Sequence, residues 1–335
     1  MKVFNCPDCN NAVFFENTHC EVCKTLLGYN PIKENFEKIE TKENLCANHQ
    51  LTICNWLLDP NNSEKFCLAC SLNREVPNSK NIENFNKWKD LEAAKHRLIY
   101  QLLKFKLPLV PKLKDKNGIA FDFLSDDNEH NLVTGHANGV VTILLSEADS
   151  VHREFLRKKM HESYRTLVGH FRHEIGHYYW EVLFNETNIQ EFRNMFGDER
   201  LDYSKALEAH YKNGAPNNWN LNFISEYASS HPWEDWAETW AHYLHLMDTL
   251  ETAYSFDVSL QQKVKFYDKK IESKCPNPYT TTNFDVIFES NVALTCMANS
   301  LNRSMGLPDI YPFVVPQSVF HKLNFIHNLL TVYNK

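Results

Sequence analysis

Apolar residues along this chain change their spacing at about residue 80. Before that point they come in short islands such as Val13-Phe14-Phe15, which suit brief strands. The stretch from residue 31 to 44 is charged and poor in core-formers, and it reads as a linker. From Trp88 onward, Trp88, Leu91, Leu98 and Leu102 recur at intervals near 3.6, predicting an amphipathic helix that ends before Pro108 and Pro111. The β-branched and aromatic runs Ala120–Leu124 and Val140–Leu145, with a turn at Gly135–Gly139, predict a small sheet. Ser146-Glu147-Ala148-Asp149 offers a helix start, and helical spacing dominates the remainder of the chain. Ser290–Met305 and Pro316–Tyr333 form a C-terminal helical cover. No repeat of 20 to 50 residues is present.

Composition narrows the class. A chain of 335 residues accommodates one large domain with one or two small modules, and 43% hydrophobic with 23% charged residues is ordinary for a globular protein. With 42 acidic against 35 basic residues, neither nucleic acid nor an anionic membrane is an expected partner. The start, Met1 to Cys6, lacks the apolar run of a signal peptide, so a cytoplasmic location is expected.

Eight of the ten cysteines lie between Cys6 and Cys70. Cys6-Pro7-Asp8-Cys9 and Cys20-Glu21-Val22-Cys23 are two knuckles that bring four thiolates to one zinc ion, the pattern of a structural zinc ribbon. Cys46, Cys54, Cys67 and Cys70 form a second set with one knuckle-spaced pair, where His49 is an alternative ligand. Residues 1–80 hold 8 Lys or Arg against 10 Asp or Glu, so the ribbon is expected to serve structure or a protein partner. Cys275 and Cys296 read as unpaired thiols.

The segment with reactive chemistry is His173-Glu174-Ile175-Gly176-His177. Histidines four apart on a helix face one metal ion, and the glutamate beside them can take a proton from a water there. His170, a turn earlier, reads as a packing histidine. A catalytic zinc needs a third ligand and an open position, and His231-Pro232-Trp233-Glu234-Asp235-Trp236-Ala237-Glu238 is the best source. Glu234 is the expected ligand and Glu238 the acceptor of a ligating histidine's outer N–H. Asp198, Glu199 and Asp202 are rival third ligands, Asp235 points away around the helix, and His231 is expected to line the cleft.

The spacing of Glu234 and Glu238 is similar to the second helix of gluzincins, and Glu-x-x-Ala-Glu with Tyr227 seven residues upstream is similar to lethal-factor-type toxin proteases. The combination of the four-cysteine ribbon, Cys54-Asn55-Trp56, Gly169–Trp180 and His231–Thr239 resembles a bacterial family of zinc-binding metallopeptidases with an N-terminal zinc ribbon. That resemblance implies an α+β protein: a mainly helical, zincin-like catalytic domain with a small sheet, over residues 81–335. A zinc ribbon (1–30) and a second cysteine-rich segment (31–80) precede it. It further implies one catalytic and one or two structural Zn2+, a peptide or protein substrate, Glu174 as general base, and Tyr227 or His231 as an oxyanion donor. An edge strand of the Val140–Leu145 hairpin is an expected docking line for an extended peptide. Residues 185–226 form a helical excursion over the site. Alternatives are a zinc amidohydrolase on a non-peptide substrate and a non-enzymatic protein-binding adaptor.

Overall fold

Two hairpins too short to stand alone begin the chain, and aromatic packing holds them. β1 (Phe4–Asn5) pairs antiparallel with β2 (Ala12–Val13), and β3 (Leu27–Asn30) with β4 (Asn35–Lys38). The computed structural model describes residues 2–41, 44–60, 64–125, 133–159, 166–261 and 272–333. Strand β4 lies inside the stretch expected as a linker. Its one aromatic, Phe36, is buried with ring centroids 5.2 Å from Phe4 and 5.8 Å from Tyr29, enough to recruit a charged segment into a strand. Phe15, Trp56 and Tyr100 complete this core.

After the short α1 (Leu68–Ser71) and β5 (Asn73–Glu75) comes α2 (Ile82–Lys104), whose Asn81 cap accepts from the Asn84 amide at 3.1 Å. Its buried face includes Trp88, Leu91, Leu98 and Leu102, as the spacing predicts. β6 (Ala120–Leu124), β7 (Gly135–Ala137) and β8 (Val140–Leu144) join β5 in a sheet of order β5-β6-β8-β7. Only β7 runs antiparallel to its neighbour. The β7–β8 turn is Asn138-Gly139, both residues at positive φ (49° and 73°), the type I′ geometry that suits strand twist. β8 is hydrogen-bonded on both sides and has no free edge for a peptide; in this hairpin that edge belongs to β7.

The chain divides into two compact units, Met1–Asp149 and Ser150–Lys335. Helix α2 and the sheet pack within the first of these units, where β5 pairs directly with β6.

The second unit contains α3 (Ser150–Lys159), α4 (Leu167–Leu183), α5 (Ile189–Phe196), α6 (Tyr203–Asn213), α7 (Pro232–Ser255), α8 (Phe284–Ser304) and α9 (Gln317–Tyr333), with a small hairpin of β9 (Ser259–Gln261) and β10 (Glu272–Lys274). Thr166 caps α4 by accepting from the Gly169 amide at 3.0 Å. Tyr164 and Arg165, just before this cap, lie outside the described residues. Helices α4 and α7 cross at Gly176, where a Cβ would stand 3.1 Å from Trp240 Cδ1 and 3.2 Å from Ala237 Cα. Trp236 Nε1 donates to the Gly176 carbonyl at 2.8 Å across the same contact. The C-terminal helices cover α7 through Asn291 Nδ2 to the Leu246 carbonyl (2.6 Å) and Lys322 Nζ to Asp235 (2.7 Å). Among the described residues no helix is long and apolar enough to cross a membrane.

The crossing yields a stability prediction. Gly176→Val puts two methyl groups against Ala237 and Trp240, and should lower stability by about 1–3 kcal/mol in denaturant unfolding. An unchanged midpoint would show that α4 and α7 are not held this close.

Candidate metal centre

The two N-terminal knuckles fold alike. The amides of Asn10 and Lys24 donate to the carbonyls of Cys6 and Cys20 at 3.0 and 2.9 Å, and both residues take φ of 61°. This turn points each pair of thiols inward. Cys6, Cys9, Cys20 and Cys23 place all four Sγ atoms within 4.8 Å of one another, as do Cys46, Cys54, Cys67 and Cys70. The Cys6–Cys23, Cys9–Cys20 and Cys54–Cys67 separations are each 3.6 Å. A disulfide would need about 2.05 Å, whereas a Zn–S bond of about 2.3 Å gives tetrahedral edges of about 3.8 Å. Both groups therefore fit zinc. Burial pushes the Cys6 thiol up to about 11, while the Asn11 side chain on Cys9 draws that thiol down to about 6. Thiols so crowded cannot all ionise without a cation among them.

His49 is not among the second set: its Nδ1–H donates to the Cys54 carbonyl at 3.1 Å. The histidine beside that set is His96 of α2, whose Nε2 lies 3.8 Å from Cys70 Sγ, with Glu92 Oε1 at 3.6 Å from the same sulfur. Lys95 Nζ holds Glu92 at 2.6 Å, and both are fully buried. These three were missed in α2. Their signal was a polar i, i+3, i+4 set on an otherwise apolar face.

In the second unit, His173 and His177 project from one face of α4 with their Nε2 atoms 3.3 Å apart. Glu234, in the first turn of α7, sets Oε2 3.1 Å from His173 Nε2 and 3.7 Å from His177 Nε2. Zinc bonds to nitrogen and oxygen of about 2.0–2.1 Å give tetrahedral edges of about 3.3–3.4 Å, so the three donors fit that ion. Oε2 is moreover buried without a hydrogen bond, a costly state for a carboxylate oxygen unless a cation faces it. His173 Nδ1–H donates to Glu238 Oε1 at 2.7 Å, which leaves the Nε2 lone pair toward the common centre. Ser225 Oγ donates to Glu238 Oε2 at 2.6 Å, and Tyr203 OH to Glu234 Oε1 at 2.6 Å. Burial favours neutral His173, but Glu234 and Glu238 outweigh it and hold the imidazole well above its ordinary value. The pocket's field calls for positive charge.

Among the described residues Glu174 accepts no hydrogen bond; it is half-buried, and its charge helps raise the pKa of both Tyr203 and Tyr227. Burial is the main cause at each tyrosine, and both keep their protons. The Tyr227 ring lies 6.0 Å from that of His173. His231 differs from expectation. It is the N-cap of α7, its Nδ1 accepting from the Trp233 amide at 3.1 Å while Nε2–H donates to the Leu201 carbonyl at 3.2 Å, so no donor remains for an oxyanion. His170 is outside the donor group. Asp198 bonds Arg200 at 2.7 Å, Glu199 pairs with Arg193 at 2.5 Å, and Asp202 caps α6 through the Lys205 amide at 3.1 Å, so each rival acid is engaged elsewhere. Asp235, pushed up to about 7 by burial against the pull of Lys322, pairs with that lysine.

An α+β fold with a four-thiol ribbon and a two-histidine, one-carboxylate group defines a zinc-binding protein. A family model described as "Putative zinc-binding metallo-peptidase" matches residues 84–329, and a zinc-ribbon domain model matches residues 3–81. The chain belongs to that metallopeptidase family. It is 41% identical over 335 residues to a protein of Mycobacterium bovis and to proteins of two strains of Mycobacterium tuberculosis. Each alignment covers 98% of this chain and 95% of the relative, and each relative is described as uncharacterized. No solved structure matches significantly.

The capping role of His231 is measurable. His231→Ala should cost about 1–2 kcal/mol in unfolding free energy, and His231→Asn, a good N-cap residue, should recover most of it. Equal stability of the alanine variant would remove the cap assignment.

Proposed function

We propose that this protein is a zinc-dependent, gluzincin-like peptidase, with its catalytic metal held by His173, His177 and Glu234 and a structural zinc in each four-cysteine group. The observation that carries this reading is the three-donor group with its unbonded, buried Glu234 Oε2. Three donors leave a tetrahedral ion one position for water, whereas each thiol group brings four and closes its ion. That contrast favours an enzyme over an adaptor. Cys70, Glu92 and His96 also form a three-donor group, but Cys70 is shared with the four-thiol set and Glu92 is neutralised by Lys95.

A zinc ion bound there would act as a Lewis acid, bringing the pKa of a water in the open position toward neutrality and polarising a carbonyl. Glu174, one residue from His173 and without a competing hydrogen bond, takes the proton as the water oxygen bonds to the carbonyl carbon. Breakage of the C–N bond then returns that proton to the leaving amine. Tyr227, which burial and nearby carboxylates keep protonated, donates to the developing oxyanion. Glu238 holds His173 in the ligating tautomer. A peptide is the substrate class in keeping with the family.

Protein purified without chelator should contain three zinc ions. Glu234→Ala should remove about one of them, while Glu238→Ala should keep that ion but weaken its binding roughly 10- to 100-fold. A full zinc content in Glu234→Ala, read by metal analysis, would rule out the ligand assignment.

Glu174→Gln separates chemistry from metal binding. Zinc content and fold should be unchanged, and kcat for peptide hydrolysis should fall by a factor of at least about 10²–10⁴. Turnover equal to that of the unmodified protein would sink the mechanism.

A further inference from the structure

Tyr203 begins α6, inside the helical excursion between α4 and α7, and its hydroxyl donates to Glu234 Oε1 at 2.6 Å. The ring packs against a pair of adjacent rings at the start of α7, with centroids 5.1 Å from His231 and 5.9 Å from Trp233. Asp202 caps the helix immediately before it. The hydroxyl's position is therefore set by packing that does not depend on the carboxylate. Glutamate χ3 is a soft, roughly two-fold rotor, and a free carboxylate can offer a metal one oxygen or both. In this chain the two oxygens are unequal: Oε1 bears the tyrosine hydrogen bond, and Oε2, without one, faces the two imidazoles.

Resting on the metal site proposed above, we infer that Tyr203 is a positioning residue that makes Glu234 a ligand through Oε2 alone. Single-oxygen ligation keeps the protein donors at three and leaves a position for water and substrate. The excursion thus contributes to the site through the first residue of α6. Ser225 likewise restrains Glu238, and Glu238 restrains His173, so the connecting segment supplies one hydroxyl that holds Glu234 directly and another that acts on His173 through Glu238.

Tyr203→Phe removes the hydroxyl and keeps the ring packing. Full-length protein is equilibrated with rising dipicolinate and its zinc content measured, the equivalent missing from Glu234→Ala marking this site. Tyr203→Phe should lose that equivalent at roughly 10- to 100-fold lower chelator than the unmodified protein, with unchanged far-ultraviolet circular dichroism. With cobalt(II) loaded instead, the difference spectrum against Glu234→Ala should show weaker visible bands in Tyr203→Phe, because a released carboxylate binding through both oxygens raises the coordination number. The same chelator midpoint and the same cobalt spectrum as the unmodified protein would overturn the inference. Equal zinc in the unmodified protein and Glu234→Ala would overturn it together with the metal site. If the zinc-loaded protein cleaves no member of a peptide library, the peptidase reading fails, while a shifted midpoint still supports the role of Tyr203.

Discussion

Negative charge buried at the start of α7 is the constraint around which the second unit is built. Glu234, Asp235 and Glu238 lie within two turns of one helix, among Trp236, Trp240 and other apolar side chains, where an unmatched carboxylate would be costly. Each finds a different answer. Asp235 takes Lys322 from α9, Glu238 takes His173 and Ser225, and Glu234 takes Tyr203 on one oxygen and leaves the other to face two imidazoles. The close α4–α7 crossing at Gly176 meets the same need, since a position without a side chain leaves room for Ala237 and Trp240 while the histidines of α4 stand within 4 Å of a carboxylate on α7.

The first unit answers a related constraint with sulfur. Its short strands bury little apolar surface, so four-thiol groups that fit a metal are natural staples for it. The two groups are not equivalent in setting. Cys9 is half-buried and Cys23 exposed in the first, whereas all four cysteines of the second are buried beside Glu92, Lys95 and His96. The second group is thereby joined to α2, and through β5 to the sheet.

What the sequence determined alone was whatever depends on local spacing. Four-residue steps on a helix put His173 beside His177 and Glu234 beside Glu238, and the two-residue gaps of the knuckles put Cys6 with Cys9 and Cys20 with Cys23, whatever the rest of the chain does. Helix α2 and strands β6 and β8 were legible for the same reason. Contacts between distant segments were decided only by the tertiary structure. Tyr203 reaches Glu234 across 31 residues and Ser225 reaches Glu238 across 13, while both ring nitrogens of His231 are occupied, one capping a helix and the other binding a carbonyl 30 residues upstream. Phe36 makes a strand of a charged stretch, and His96, not His49, stands beside the second thiol group, because burial there depends on partners that no periodicity encodes.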